Sequence, residues 1–162
     1  MNHIELFAGC GGLSLGLHAA GFKLLFANEL SPMAAETFAH NLLRENLSEI
    51  AATEVSARPE LITKWVSSHH PAALLASRLR ENPQSFPPRT PQNSDLTSVQ
   101  DLEKRLVVGS IVQLNQWLSS APVSELATLR SGFGDGQVDL VSGGPPCQSF
   151  SMNGLRDYTN KR

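Results

Sequence analysis

Along the first 46 residues, apolar positions come in short runs, each closed by glycine or by a polar pair. His3 to Ala8 is such a run, and it ends in a Gly-rich stretch, which predicts a strand feeding a tight loop. Leu13, Leu15, Leu17, Ala19 and Ala20 continue into a helix stopped by Gly21. Phe22 to Ala27 reads as a second strand, closing on Asn28-Glu29. Ser31-Pro32 fits an N-cap followed by proline at the first helical position, with the helix running through Phe38 and Leu42 to about Asn46. Strand, helix, strand, helix in so short a span predicts a parallel α/β sheet.

From about Ala51 to Gln100 the pattern dissolves. Glu60 to Val66 and Ala72 to Arg80 are helix candidates, while Asn82 to Asp95 holds Pro83, Pro87, Pro88 and Pro91 among Ser, Asn and Gln. Such a composition reads as an insertion or a mobile loop rather than core. Order returns with a third strand at Arg105 to Val108 and a helix from Ile111 to Ser119. A fourth strand, Gln137 to Ser142, runs straight into Gly143-Gly144-Pro145-Pro146.

Composition adds bounds. At 162 residues, 41% apolar and 17% charged, the chain is long enough for one domain with a real core and is not globally disordered. No apolar run approaches the roughly 20 residues of a membrane span. The N-terminus lacks a basic, then apolar, leader. The expected setting is cytoplasmic, where Cys10 and Cys147 stay unpaired. Neither cysteine has a second ligand at zinc spacing, so no metal is expected. The net charge of −2 gives no hint of nucleic acid.

Candidate chemistry sits in two loops. Phe7-Ala8-Gly9-Cys10-Gly11-Gly12 follows a strand and opens a helix, where glycines allow close ligand approach and the helix start offers free amides. A dinucleotide fingerprint would place a third glycine where Ser14 stands, so that match is imperfect. Glu29 lies 20 positions after Gly9, at a strand end, where nucleoside-binding α/β folds place an acid for ribose hydroxyls. An acid there could also simply favour the next helix start. In the second loop, two glycines and two prolines display Cys147 with little conformational freedom. That favours a nucleophile over a buried, inert thiol.

At three places in the right order the sequence resembles the cytosine-5 DNA methyltransferase family. Glu5-Leu-Phe-Ala-Gly-Cys-Gly-Gly-Leu-Ser-Leu-Gly-Leu17 is similar to the family's first motif. Asn28-Glu29-Leu30 with Ala34-Ala-Glu-Thr-Phe-Ala-His-Asn41 is similar to the second, and Gly144-Pro-Pro-Cys-Gln-Ser-Phe-Ser151 to the catalytic one. Val107-Val-Gly-Ser-Ile111 is a weaker match to the third motif, with Ser110 in place of the usual acid. Ser110 either contacts adenine or only caps a helix.

The resemblance implies a Rossmann-like S-adenosylmethionine-dependent fold: an incomplete parallel sheet with helices on both faces. It implies S-adenosyl-L-methionine as cofactor, held by Phe7, Ala8, Gly9, Gly11, Gly12, Leu13, Glu29, Leu30, Ser110, Ile111, Pro145 and Pro146. It implies double-stranded DNA with a flipped cytosine as substrate, Cys147 as nucleophile, and Gln148, Ser149, Ser151 and Arg156 near the base or its phosphate. The family's Glu-Asn-Val motif, its downstream Arg-x-Arg motif and its target-recognition region are not found. The whole chain then reads as the N-terminal part of a catalytic domain, with 51–104 as an insertion or flexible region. Such a chain is expected to be inactive alone and cofactor-binding at best, as a truncated form, a broken gene product or one subunit whose second chain supplies the other half. A tRNA-methylating relative and a cofactor-binding module that has lost catalysis remain the alternatives.

Overall fold

The structure is a computed structural model and describes residues 1–85 and 94–145. Five strands form one sheet: β1 (Asn2–Leu6), β2 (Lys23–Glu29), β3 (Thr63–Trp65), β4 (Arg105–Val108) and β5 (Leu140–Gly143). Their order is β3-β4-β2-β1-β5, and every pairing is parallel. The chain builds outward from β1 to β2, β3 and β4, then returns to place β5 on the other side of β1. The order therefore reverses at β1, and in open parallel sheets ligands sit at such a reversal, outside the carboxyl ends of the strands.

Helices cover both faces, as the motifs imply. On one face lie α1 (Gly12–Ala19), tied to β1 through Ser14 and Glu5, and α2 (Pro32–Phe38), α3 (Leu47–Ala52) and α4 (Leu75–Arg78), which pack over Ala27, Trp65, Leu106 and Val108. On the other, α5 (Ile111–Ser119) and α6 (Val123–Arg130) pack over Ile4, Leu25, Phe26, Val66 and Val107. Strand alternation assigns the faces, with one exception. The β1–β2 register jumps from His3↔Leu24 to Ile4↔Phe26, leaving Leu25 as the extra residue of a bulge. Leu25 and Phe26 therefore both face the α5–α6 core, where strict alternation would have separated them.

The middle of the chain differs from its sequence reading. Residues 60–66, a helix candidate, instead supply the edge strand β3. Thr63 and Trp65 point to one core while Val66 joins the other, a period of two that suits β-branched and aromatic side chains. The strand is secured by Glu45, whose carboxylate accepts the amides of Ile62 (2.6 Å) and Thr63 (2.9 Å) and the Thr63 hydroxyl (2.7 Å). Glu45 is placed there because the helix expected to reach about Asn46 widens into a π turn at Ala39–Leu43 and stops at Arg44, φ 57°. In the second candidate, 72–80, the α-helical part is only Leu75–Arg78. Residues 86–93, which hold Pro87, Pro88 and Pro91, lie outside the described residues.

Beside β3, a polar cluster is buried. Arg78 is fully buried and stacks 4.4 Å from the Trp65 ring. Its guanidinium pairs with Asp95 at 2.9 Å and donates to the Ser68 hydroxyl at 3.0 Å. Asp95 in turn accepts the Trp65 amide at 2.9 Å, so the segment entering β4 is tied to the edge strand. Helix α6 had no counterpart in the sequence reading. Only Leu126 and Leu129 pack inward from it, too weak a period to stand out.

Candidate functional site

Parallel strands end on one side, and four adjacent ends bring the candidate residues together. Phe7 to Leu13 follow β1, Glu29 closes β2 and leads into Leu30, Ser110 and Ile111 follow β4, and Pro145 follows β5. Register fixes the juxtaposition: Leu6 lies opposite both Asn28 and Gly143, and Glu29 opposite Val108.

Glu29 is the organising side chain of this edge. One carboxylate oxygen accepts the Gly9 amide at 2.7 Å, and the other accepts the Ser31 amide at 2.7 Å. A carboxylate offers about four lone-pair directions, so two stay open beyond these bonds. Its orientation is set in advance by backbone on both sides. The helix-start reading is also satisfied, since Ser31 is the N-cap of α2 and Pro32 its first residue.

The glycine loop owes its shape to conformations other residues avoid. Gly9 and Gly11 have φ of 55° and 91°. At Gly11 a β-carbon would run into Leu42 and come within 2.9 Å of the Phe38 ring, so this glycine lets the loop seat on α2 and the turn after it. At Gly9 the same direction is open space. Phe7, a bulky residue, holds φ 56°, a strained backbone state that the loop imposes just past β1. At the reversal point, a β-carbon on Gly143 would run into the Leu6 carbonyl, so glycine there permits β5 to lie close against β1.

Around this edge the chain exposes apolar side chains, among them Leu13 and Leu30, while Ile111 is half-buried. Cys10 is an exposed thiol. Ser110 takes the capping role: its hydroxyl accepts the Val112 amide at 3.3 Å at the start of α5. Beneath the loop, Glu5 is buried and accepts the Ser14 hydroxyl. Burial raises the Glu5 pKa, and the hydrogen bonds from Ser14 partly oppose that. His3, buried on the same face of β1, meets the edge of Phe22 and has no hydrogen-bond partner on either ring nitrogen. Burial lowers its pKa.

Sequence reasoning missed Asn28 as a contributor in its own right. Its buried carboxamide donates to the carbonyls of Val107 (2.9 Å) and Gly109 (3.0 Å), while the backbone carbonyl of the same residue accepts the Ala8 amide at 3.0 Å. A buried asparagine inside an apolar strand was the available signal. Of the remaining candidates, Pro146, Cys147, Gln148, Ser149, Ser151 and Arg156 lie outside the described residues. Among the described residues, no helix is long and apolar enough to cross a membrane.

Residues 1–64 match the family of C-5 cytosine-specific DNA methylases. The matched span covers β1, α1, β2, α2, α3 and the start of β3, and so includes the glycine loop and Glu29. Among curated proteins, the chain is similar to Type II methyltransferase M.NgoFVII of Neisseria gonorrhoeae, 49% identical over 39 residues, 24% of this chain and 10% of that protein. It is 27% identical over 153 residues to Type II methyltransferase M.AquIA of Picosynechococcus, covering 94% of this chain and 35% of that protein. Type II methyltransferase M.DdeI of Desulfomicrobium norvegicum is 26% identical over 162 residues, the whole of this chain and 22% of that protein. The chain thus spans about a third or less of the length of these relatives. No solved structure gives a significant match.

Proposed function

We propose, from the premise that residues 1–64 match the C-5 cytosine-specific DNA methylases, that this chain is the cofactor-binding part of an enzyme methylating carbon 5 of cytosine in DNA. The observation that carries this reading is the Glu29 carboxylate, fixed by the Gly9 and Ser31 amides at the edge where four strand ends meet. S-adenosyl-L-methionine supplies a methyl group on a positively charged sulfur. The residues present fit it. Open space beside Gly9, the positive end of α1 and the exposed Leu13 suit the methionine part, with Phe7, Ala8, Gly11 and Gly12 shaping the loop. The remaining lone pairs of Glu29 suit ribose hydroxyls, and Leu30 and Ile111 suit the adenine, with Ser110 capping α5 beside them. Pro145 and Pro146 separate cofactor from base.

In sequence Cys147 comes four positions after Gly143, the last residue of β5. Its thiolate would add to carbon 6 of a cytosine flipped from the duplex, forming an S–C6 bond and placing electron density on carbon 5. After methylation, loss of the carbon 5 proton lets the S–C6 bond break and returns the thiolate. Gln148, Ser149, Ser151 and Arg156 follow Cys147 in sequence and are assigned to the base and its phosphate. Completing the transfer requires an acid for the cytosine ring nitrogen and a DNA-reading region, supplied by residues outside these 162 or by a second chain.

The test uses labelled S-adenosylmethionine and mixed-sequence DNA. The isolated chain leaves DNA unlabelled, and labelling begins on adding a polypeptide that carries the Glu-Asn-Val and Arg-x-Arg motifs. Label from the chain alone would overturn the requirement for further residues. Label that survives Cys147→Ser would overturn the nucleophile.

A further inference from the structure

We infer that Asn28 is a positioning residue for the adenosine half of the cofactor, coupling the end of β2 to the loop after β4. This rests on the cofactor reading above. The residue is almost fully buried at the end of β2, in register with Leu6 on one side and Val107 on the other. Its carboxamide gives both hydrogens to a single segment, at the Val107 and Gly109 carbonyls. The Glu29 carbonyl accepts the Gly109 amide at 2.8 Å, so Gly109 is held on this side by two successive residues.

On the opposite side there is no room to drift. Gly109 has φ 140°, and a β-carbon on it would approach the Val66 carbonyl to 2.6 Å. The turn is thus confined between Asn28 and Val66, and Ser110 and Ile111 begin α5 immediately after it. The backbone carbonyl of Asn28, by contrast, accepts the Ala8 amide as any residue there would, and Glu29 holds the Gly9 amide beside it. The buried Asn28 side chain therefore fixes where Ser110 and Ile111 stand relative to the Glu29 end of β2. No other side chain among the described residues bridges β2 to the Gly109 turn.

Asn28→Asp tests this. It keeps the shape but removes both donors and turns a carboxylate toward two carbonyl oxygens. S-adenosylmethionine binding is measured by calorimetry at pH 8 and pH 5.5 for wild type and variant, with circular dichroism confirming the fold in each sample. The expected result is at least tenfold weaker binding at pH 8, relative to wild type, with most of that deficit recovered at pH 5.5 as the acid takes up a proton and donates again. A deficit equal at both pH values, or none, overturns the positioning role. If Asn28→Asp does not fold, Asn28→Ser replaces it: one shorter donor gives an intermediate loss, and wild-type affinity overturns the inference. Absence of binding by the folded wild type would instead refute the cofactor reading itself.

Discussion

Glu29 and Gly9 stand 20 positions apart in sequence, yet the Glu29 carboxylate accepts the Gly9 amide at 2.7 Å, from one strand end to the loop of its neighbour. The same side chain takes the Ser31 amide through its second oxygen. Hydrogen bonds to a charged acceptor contribute roughly 1.5–3 kcal/mol each. The glycine loop and the start of α2 are thus set by one carboxylate before any ligand arrives.

Glu29→Ala removes both anchors. Hydrogen exchange at the Gly9 and Ser31 amides should accelerate by about tenfold or more, the factor that about 1.4 kcal/mol represents. Exchange in the buried centre of β2 should not change. Unchanged protection at Gly9 would show that the loop holds itself.

The two left-handed glycines of the loop should respond differently to alanine. Gly9→Ala meets open space and costs only the conformational penalty, about 1–2 kcal/mol. Gly11→Ala carries a similar penalty and also drives a methyl into Leu42 and the fully buried Phe38, adding about 1–3 kcal/mol from overpacking. Urea denaturation of both variants measures the gap. Equal midpoints would mean the loop does not seat on α2 as described.

The buried cluster beside β3 makes its own prediction. Arg78→Met leaves Asp95 without its cation in a mostly buried place, at a cost of about 3–5 kcal/mol. Adding Asp95→Asn should recover a good part, because the stranded charge is gone. Thermal unfolding of the single and double variants reads this directly. A double variant no better than the single would place the cost in lost packing against Trp65 rather than in charge.

Acid should weaken the fold through His3. Its folded pKa lies below the ordinary 6.5, so the unfolded chain takes up the proton first. The contribution is fully present above about 6.5 and is lost as pH falls from there toward the depressed folded value. Glu5 works in the other direction: with its pKa raised, its contribution is present below 4.5 and lost as pH rises through the folded value. Urea midpoints of wild type and His3→Leu between pH 8 and pH 5 separate the two. The wild-type midpoint should fall relative to the variant below pH 6.5, and parallel curves would show that His3 is not held neutral.

The β1-to-α2 segment was legible because local signals there agree with the tertiary fold. Ser31-Pro32 caps α2 as read, and the strand that closes on Asn28-Glu29 does end there. Glu29 was found from its spacing to Gly9, although its backbone partners were not. The middle of the chain was less legible. Thr63–Trp65 is a strand because Glu45 and β4 hold it, and three residues carry too little periodicity to declare that in advance. The Leu25 bulge, the π turn and the Arg78 pair depend on long-range contacts and leave little trace in composition. Asn28 was quoted as part of a motif, but its bridging role became visible only with β4 in place beside it.

Titrating S-adenosylmethionine into the purified chain by calorimetry, with Glu29→Ala as the control, tests the central claim most directly. Saturable one-site binding is expected, weakening by about tenfold or more in the variant, in line with the loss of one or two charge-assisted hydrogen bonds. A chain that is well folded by circular dichroism yet gives no binding heat across a range of temperatures would contradict it.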